Sequence, residues 1–178
     1  MILRNQITGL LLLLTFFLFG FGLPKSIHKK VQKEVMNVFE VSTFSMESVS
    51  VSESVNAQLP SKITTDNLFK LMDGANLLGY AFTDKANSKT AQFDYLVLFD
   101  KDLKVIHSKV LIYREEYGGE IGSKRWLKQF LGKTGSDRVD IKTNIDAISG
   151  ATISVRSMTK SMDNLLQTIG ILQENNQL

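Results

Sequence analysis

The chain has no cysteine, two prolines in 178 residues, one tryptophan and two histidines. Without cysteine there is no disulfide framework and no thiolate for redox or nucleophilic chemistry. His28 and His107 are far apart and have no clustered acids beside them, so no metal site can be assembled from ligand spacing. Charge of one sign is missing too: 21 Lys and Arg against 18 Asp and Glu leave +3. Lysines and acids alternate through the polar part, and no basic stripe interleaved with aromatics points to nucleic acid. No Gly-Lys-Ser/Thr closes a glycine-rich run, and no Gly-x-Ser-x-Gly is present, which excludes a P-loop and a nucleophile elbow.

What is there is unevenly spread. Residues 7–23 carry no charge and hold the unbroken run Leu10–Leu14 followed by Phe16, Phe17, Phe19 and Phe21. Arg4 precedes this run and Pro24 ends it. Its length is at the lower limit for spanning a bilayer and long for a signal-peptide core. It reads as an uncleaved anchor, with a cleaved signal peptide as the runner-up. Lys25, Lys29, Lys30 and Lys33 follow it; counted by the positive-inside rule alone, they would hold the rest in the cytoplasm. They also suit anionic headgroups, as they suit a plain solvated flank. The expected organisation is a membrane or signal segment over 1–24, a juxtamembrane helix and linker over 25–60, and one domain over 61–178.

The spacing of Ile27, Val31, Val35, Val38 and Phe39 predicts a helix. The serine-rich stretch 42–54 reads as linker or edge strand. Thr65-Asp66 followed by Leu68, Phe69, Leu71 and Met72 predicts a capped helix. Alternation then predicts three strands, over 77–82, 93–99 and 104–113, with a tight turn at Asp100–Leu103. In the third strand Ile106, Val110 and Ile112 form the expected core face, which turns His107 to solvent. Ser123 is an expected N-cap for a helix burying Trp126, Leu127, Phe130 and Leu131. A short strand is expected over 139–145 and a frayed tail over 174–178. The fold class is α+β: an antiparallel β-meander packed with helices and preceded by one N-terminal membrane segment.

The most informative stretch is Asp146-Ala-Ile-Ser149-Gly150-Ala151-Thr152. Behind it Val155, Met158, Met162, Leu165, Leu166 and Ile169 recur at helical steps. Small residues and hydroxyls before a helix are ordinary caps. Unpaired amides and the positive end of the helix dipole also suit a phosphate. Both readings stand on the residues alone.

Asp146-x-x-Ser149-Gly150-Ala151-Thr152 resembles the flavinylation motif of the FMN-binding domain family. That family includes the C subunit of the sodium-pumping NADH:quinone oxidoreductase and the G subunit of the Rnf complex. The resemblance implies FMN joined through its phosphate to Thr152 by a flavin transferase that consumes FAD, with Asp146 as the motif acid and Ser149, Gly150 and Ala151 as the close approach to the phosphate. It further implies that Tyr117, Gly118 and Gly119, in the loop after the third strand, contact the flavin, although the Thr-Pro-Gly-Leu-Gly type of loop seen in relatives is replaced here by Tyr-Gly-Gly-Glu-Ile-Gly. By the same resemblance the domain faces the periplasm or cell exterior from the cytoplasmic membrane and relays electrons among membrane or periplasmic partners, an electron carrier more than a stand-alone enzyme. The alternative is an envelope binding or assembly module that keeps the fold without flavin.

Overall fold

The computed structural model describes residues 23–178. The apolar run read as a membrane segment lies outside them but for Leu23. Among the described residues no helix is long and apolar enough to cross a membrane.

Five antiparallel strands form one sheet in sequence order: β1 (Ser45–Ser48), β2 (Leu68–Asp73), β3 (Asn76–Asn87), β4 (Gln92–Asp100) and β5 (Val105–Ile112). This is the expected meander. The stretch 42–54 supplies its edge strand β1, followed by one helical turn, α2 (Glu53–Asn56). The β4–β5 turn closes as its sequence suggests. Asp100 Oδ1 accepts from the amides of Asp102 and Lys104 at 3.0 and 2.9 Å, and Leu103 takes a left-handed conformation, φ 61°.

Each sheet face is covered by one long helix. α1 (Lys25–Phe39) buries Ile27, Val31 and Val35 against Leu71, Ala81, Leu96, Leu98 and Leu111. α4 (Thr152–Glu174) buries Val155, Met158, Met162, Leu165, Leu166, Ile169 and Leu172 against the opposite face, where Phe82, Phe93, Tyr95, Val97 and Phe99 stand. Because the sheet is dry on both sides, its central strands lack the alternation of a half-exposed sheet.

That explains three corrections. Residues 68–73 form strand β2, not the expected helix: Leu68, Phe69 and Leu71 are buried on both faces, and the cluster imitates helical spacing. In β5 the register shifts opposite Asp94/Tyr95 and Leu98/Phe99, so alternation is broken twice. Ile106 and Ile112 pack with α1, while Val110 packs with the α4 side. His107 consequently faces α1 instead of solvent, its Nε2 3.1 Å from Glu34.

The stretch 139–145 forms turns, not a strand. The Asp140 carbonyl accepts from the amides of Thr143, Asn144 and Ile145, and the Asp140 carboxylate accepts from Lys142 N at 2.7 Å. The tail beyond Glu174 is docked and not frayed: Gln177 N donates to the Leu172 carbonyl, and Gln177 Oε1 accepts from Ser52 N at 3.1 Å.

Candidate functional site

A meander places the end of β3, the start of β4 and the end of β5 at the same edge of the molecule. The N-terminus of α4 arrives at that edge, and a cleft of about 650 Å³ opens there. Its walls are the β3–β4 turn (Lys89, Thr90), the segment after β5 (Tyr113–Tyr117) and the first residues of α4 with Gly150 and Ala151.

Gly150 turns the chain into α4 with φ +82°, and open space lies where a Cβ would stand. Ala151 is the N-cap residue, with no side-chain capping bond, and its carbonyl accepts the first helical bond from Val155 N at 2.9 Å. Neither Ser149 nor Thr152 therefore serves as the cap. Thr152, the first helical residue, is exposed and makes no side-chain hydrogen bond to a described residue. A free hydroxyl stands at a 23-residue helix N-terminus, where backbone amides and the dipole favour an anion.

Ser154, in the wall of the same cleft, is 3% exposed. The Tyr113 hydroxyl donates its one proton to the Tyr117 carbonyl at 2.9 Å, so the Ser154 hydroxyl, 3.1 Å away, donates to Tyr113. This chain of bonds locks the loop to the helix. Gly118 is required there: at φ +85° a Cβ would lie 2.7 Å from Tyr113 Oη and 3.4 Å from Ala151 Cβ.

The opposite wall is tied by Glu115. Its Oε1 accepts from Ser88 Oγ at 2.7 Å, Thr90 N at 2.6 Å, Ala91 N at 3.1 Å and Thr90 Oγ1 at 3.2 Å. The Ser88 hydroxyl above all, and then the Thr90 amide, hold this carboxyl below the usual carboxylate range. Arg114 donates to the Gln92 carbonyl and pairs with Asp94. Asn87 N donates to Ser157 Oγ of α4 at 2.8 Å. Turn, loop and helix are thus one hydrogen-bonded frame. Tyr117 and Ile153 project from it as exposed apolar side chains beside Thr152, 79% and 50% accessible.

Of the residues expected from the sequence, Thr152, Gly150, Ala151 and Tyr117 line this cleft, and Gly118 packs directly behind it. Gly119, Ser149 and Asp146 do not line it. Asp146 borders a separate hollow with Arg125, Lys128 and Gln129. Its backbone is pinned there, with its carbonyl accepting from Trp126 Nε1 at 2.8 Å and its amide donating to Gln129 Oε1 at 2.7 Å. Trp126, as expected, is a core anchor, and Ser123 Oγ caps its helix α3 (Lys124–Leu127). Leu131, expected in the core, is 45% exposed. Lys89, Thr90 and Ile153 were not foreseen as cleft residues. The polar run Asn87-Ser-Lys-Thr90 marked the hairpin turn, and the meander order alone would have brought it beside Tyr113–Tyr117.

Residues 89–167 match the FMN-binding domain family. The resemblance first carried by seven residues therefore holds from the Lys89 turn through most of α4. Among solved structures, the chain is similar to the crystal structure of Shewanella oneidensis NqrC, with a TM-score of 0.54 and 14% sequence identity over 83% of this chain and 97% of that one. At that identity the likeness is one of fold. No curated protein matches the chain.

Proposed function

We propose that the chain is a membrane-anchored electron carrier that holds FMN through a phosphoester on Thr152, with its domain on the outer side of the cytoplasmic membrane. The observation that supports this best is the exposed, uncapped Thr152 hydroxyl at the head of α4, in the wall of a cleft large enough for a nucleotide-sized ligand. The match to the FMN-binding domain and the fold likeness to NqrC, the C subunit of a sodium-pumping NADH:quinone oxidoreductase, support the class of protein. They extend by analogy to membrane redox partners.

The residues present suit FMN. The free amides of the first α4 turn offset phosphate charge, and the open backbone at Gly150 allows close approach. Tyr117 and Ile153 offer apolar surface to a flat ring. Bound FMN would supply exchange between two-electron and one-electron partners, while the protein sets its position and electrostatic surroundings. In this reading Thr152 is a modification site. Its oxygen takes the FMN phosphorus from FAD, AMP departs, and the hydroxyl proton is released. A flavin transferase performs that step on the folded chain. Attachment by the phosphate retains a cofactor that would otherwise be diluted outside the cell and leaves the ring free to face a partner.

The test is co-expression of the full chain with a flavin transferase and ample FAD, followed by a denaturing gel under ultraviolet light and an intact-mass measurement. The expected result is a fluorescent band heavier by one FMN less one water, absent in Thr152→Ala. Since Thr152 is exposed and unbonded, that variant should stay within about 0.5 kcal/mol of wild-type stability. A colourless wild-type chain, with the transferase active on a control substrate, would favour the flavin-free envelope module. Fluorescence retained in Thr152→Ala would move the attachment elsewhere.

A further inference from the structure

The cleft has an unbalanced charge pattern once its internal pairs are set aside. Glu115 and Glu116 both line it. Arg114 lines it too, but its guanidinium is committed to Asp94 and the Gln92 carbonyl. An anionic ligand would therefore enter a negative cleft unless another cation opposed it. Lys89 is that cation: it lines the same cleft and makes no ion pair with any described residue. Nor is it on a loose loop. Its turn is stapled on both sides, by Glu115 to Ser88, Thr90 and Ala91, and by Asn87 to Ser157 of α4.

We propose that Lys89 is the positive partner of the flavin's negative charge in this cleft, and that Glu115 is the positioning residue that holds Lys89 there. The inference rests on the FMN reading above. Two parts of the ligand share the chemistry: the phosphate at Thr152, and the pyrimidine end of the ring, which becomes more negative on reduction. An unscreened cation opposite the ring stabilises the reduced form and raises its potential; opposite the phosphate it restrains the tether and leaves the potential alone.

The experiment compares the full-length flavin-loaded chain with Lys89→Gln, Lys89→Arg and Glu115→Ala. Midpoint potentials come from spectroelectrochemistry and flavin fluorescence anisotropy from the same samples at low salt. If Lys89 faces the ring, Lys89→Gln shifts the oxidised-to-reduced ratio about tenfold toward oxidised, about 30 mV for a two-electron couple. Lys89→Arg keeps the wild-type potential, and the shift caused by Lys89→Gln shrinks in a Glu115→Ala background, where the turn no longer holds Lys89 in place. If Lys89 faces the phosphate, the potential stays and anisotropy falls in Lys89→Gln and Glu115→Ala but not in Lys89→Arg. Wild-type potential and anisotropy in Lys89→Gln would overturn the proposal while leaving the Thr152 reading intact. Should the wild-type chain carry no covalent flavin, the Thr152 reading fails on its own. Free FMN and riboflavin are then titrated: preference for FMN that is lost in Lys89→Gln supports the proposal, and equal binding of both ligands overturns it.

Discussion

Asp163 is the most heavily used carboxylate on α4, and removing it should show how the motif-bearing segment is held. It accepts from Arg138 Nε and Nη2, both at 2.7 Å, from Val139 N at 3.1 Å and from Gln167 Nε2 at 3.0 Å. Its side chain is 15% exposed, whereas that of Arg138 is 68% exposed. The Arg138 bonds come first in holding its carboxyl below the usual range, with the Val139 amide adding to them. A hydrogen bond to a charged group contributes about 1.5–3 kcal/mol, and solvent screening at the exposed Arg138 discounts its share. Asp163→Asn keeps Oδ1 as an acceptor for Val139 but loses the charge and the second oxygen that accepts from Arg138 Nη2 and Gln167 Nε2, so it should cost about 1–2 kcal/mol. Asp163→Ala also strands the amide of Val139, a residue 3% exposed, which adds about 1–3 kcal/mol. Urea denaturation of both variants should thus give two separated midpoints below wild type at an unchanged slope. The pH dependence has a fixed sign. A carboxyl lowered in the native state stabilises fully above its unfolded value, about 3.9, and loses that contribution as pH falls through the native value. The acid limb of the wild-type stability curve should be shallower in Asp163→Ala. Equal costs for Asn and Ala, or an unchanged acid limb, would refute this account of the clamp.

Two other perturbations test the frame. Gly118→Ala combines a left-handed backbone with a Cβ 2.7 Å from Tyr113 Oη; it should cost about 1–3 kcal/mol from backbone strain alone, read by thermal unfolding. Flavin loading by the transferase should drop with it. His107 is pushed below its ordinary value by burial, with Glu34 pulling the other way. Its stabilising contribution is therefore full above about pH 6.5 and declines as pH falls, because the unfolded chain takes up the proton first. A ring titration by NMR with a midpoint above 6.5 would contradict that environment.

The strands β3 to β5 were legible because their turns are punctuated and their apolar residues run long. α1 and α4 were legible because each packs one stripe and exposes the other side. β2 was not: buried on both faces, it offers Leu68, Phe69, Leu71 and Met72 with no polar alternation to betray a strand. The turned stretch 139–145 misled for a related reason. Val139 and Ile145 are buried, but the Asp140 and Asn144 side chains satisfy its backbone in place of a neighbouring strand. At the site, the helix-head threonine was visible as a motif, whereas Lys89 and Glu115 became site residues only once the meander folded their turns to one edge. The β5 face was misassigned because two register shifts cannot be read from alternation.

The order in which the sheet is strung has a kinetic consequence. Every strand pairs with the one made just before it, so the sheet can assemble through short-range closures as the chain lengthens, the cheap end of the contact-order scale. α4 is the exception. It returns across the finished sheet and bonds backward to Ser61 and Asn87, with Ser52 reached from the tail just beyond it. The wall bearing Thr152 is thus the last part of the cleft to exist. A nascent or truncated chain would present the Lys89 turn and Tyr117 loop with no helix head between them. Under the proposed function, cofactor loading then doubles as a check that synthesis and folding have carried through α4.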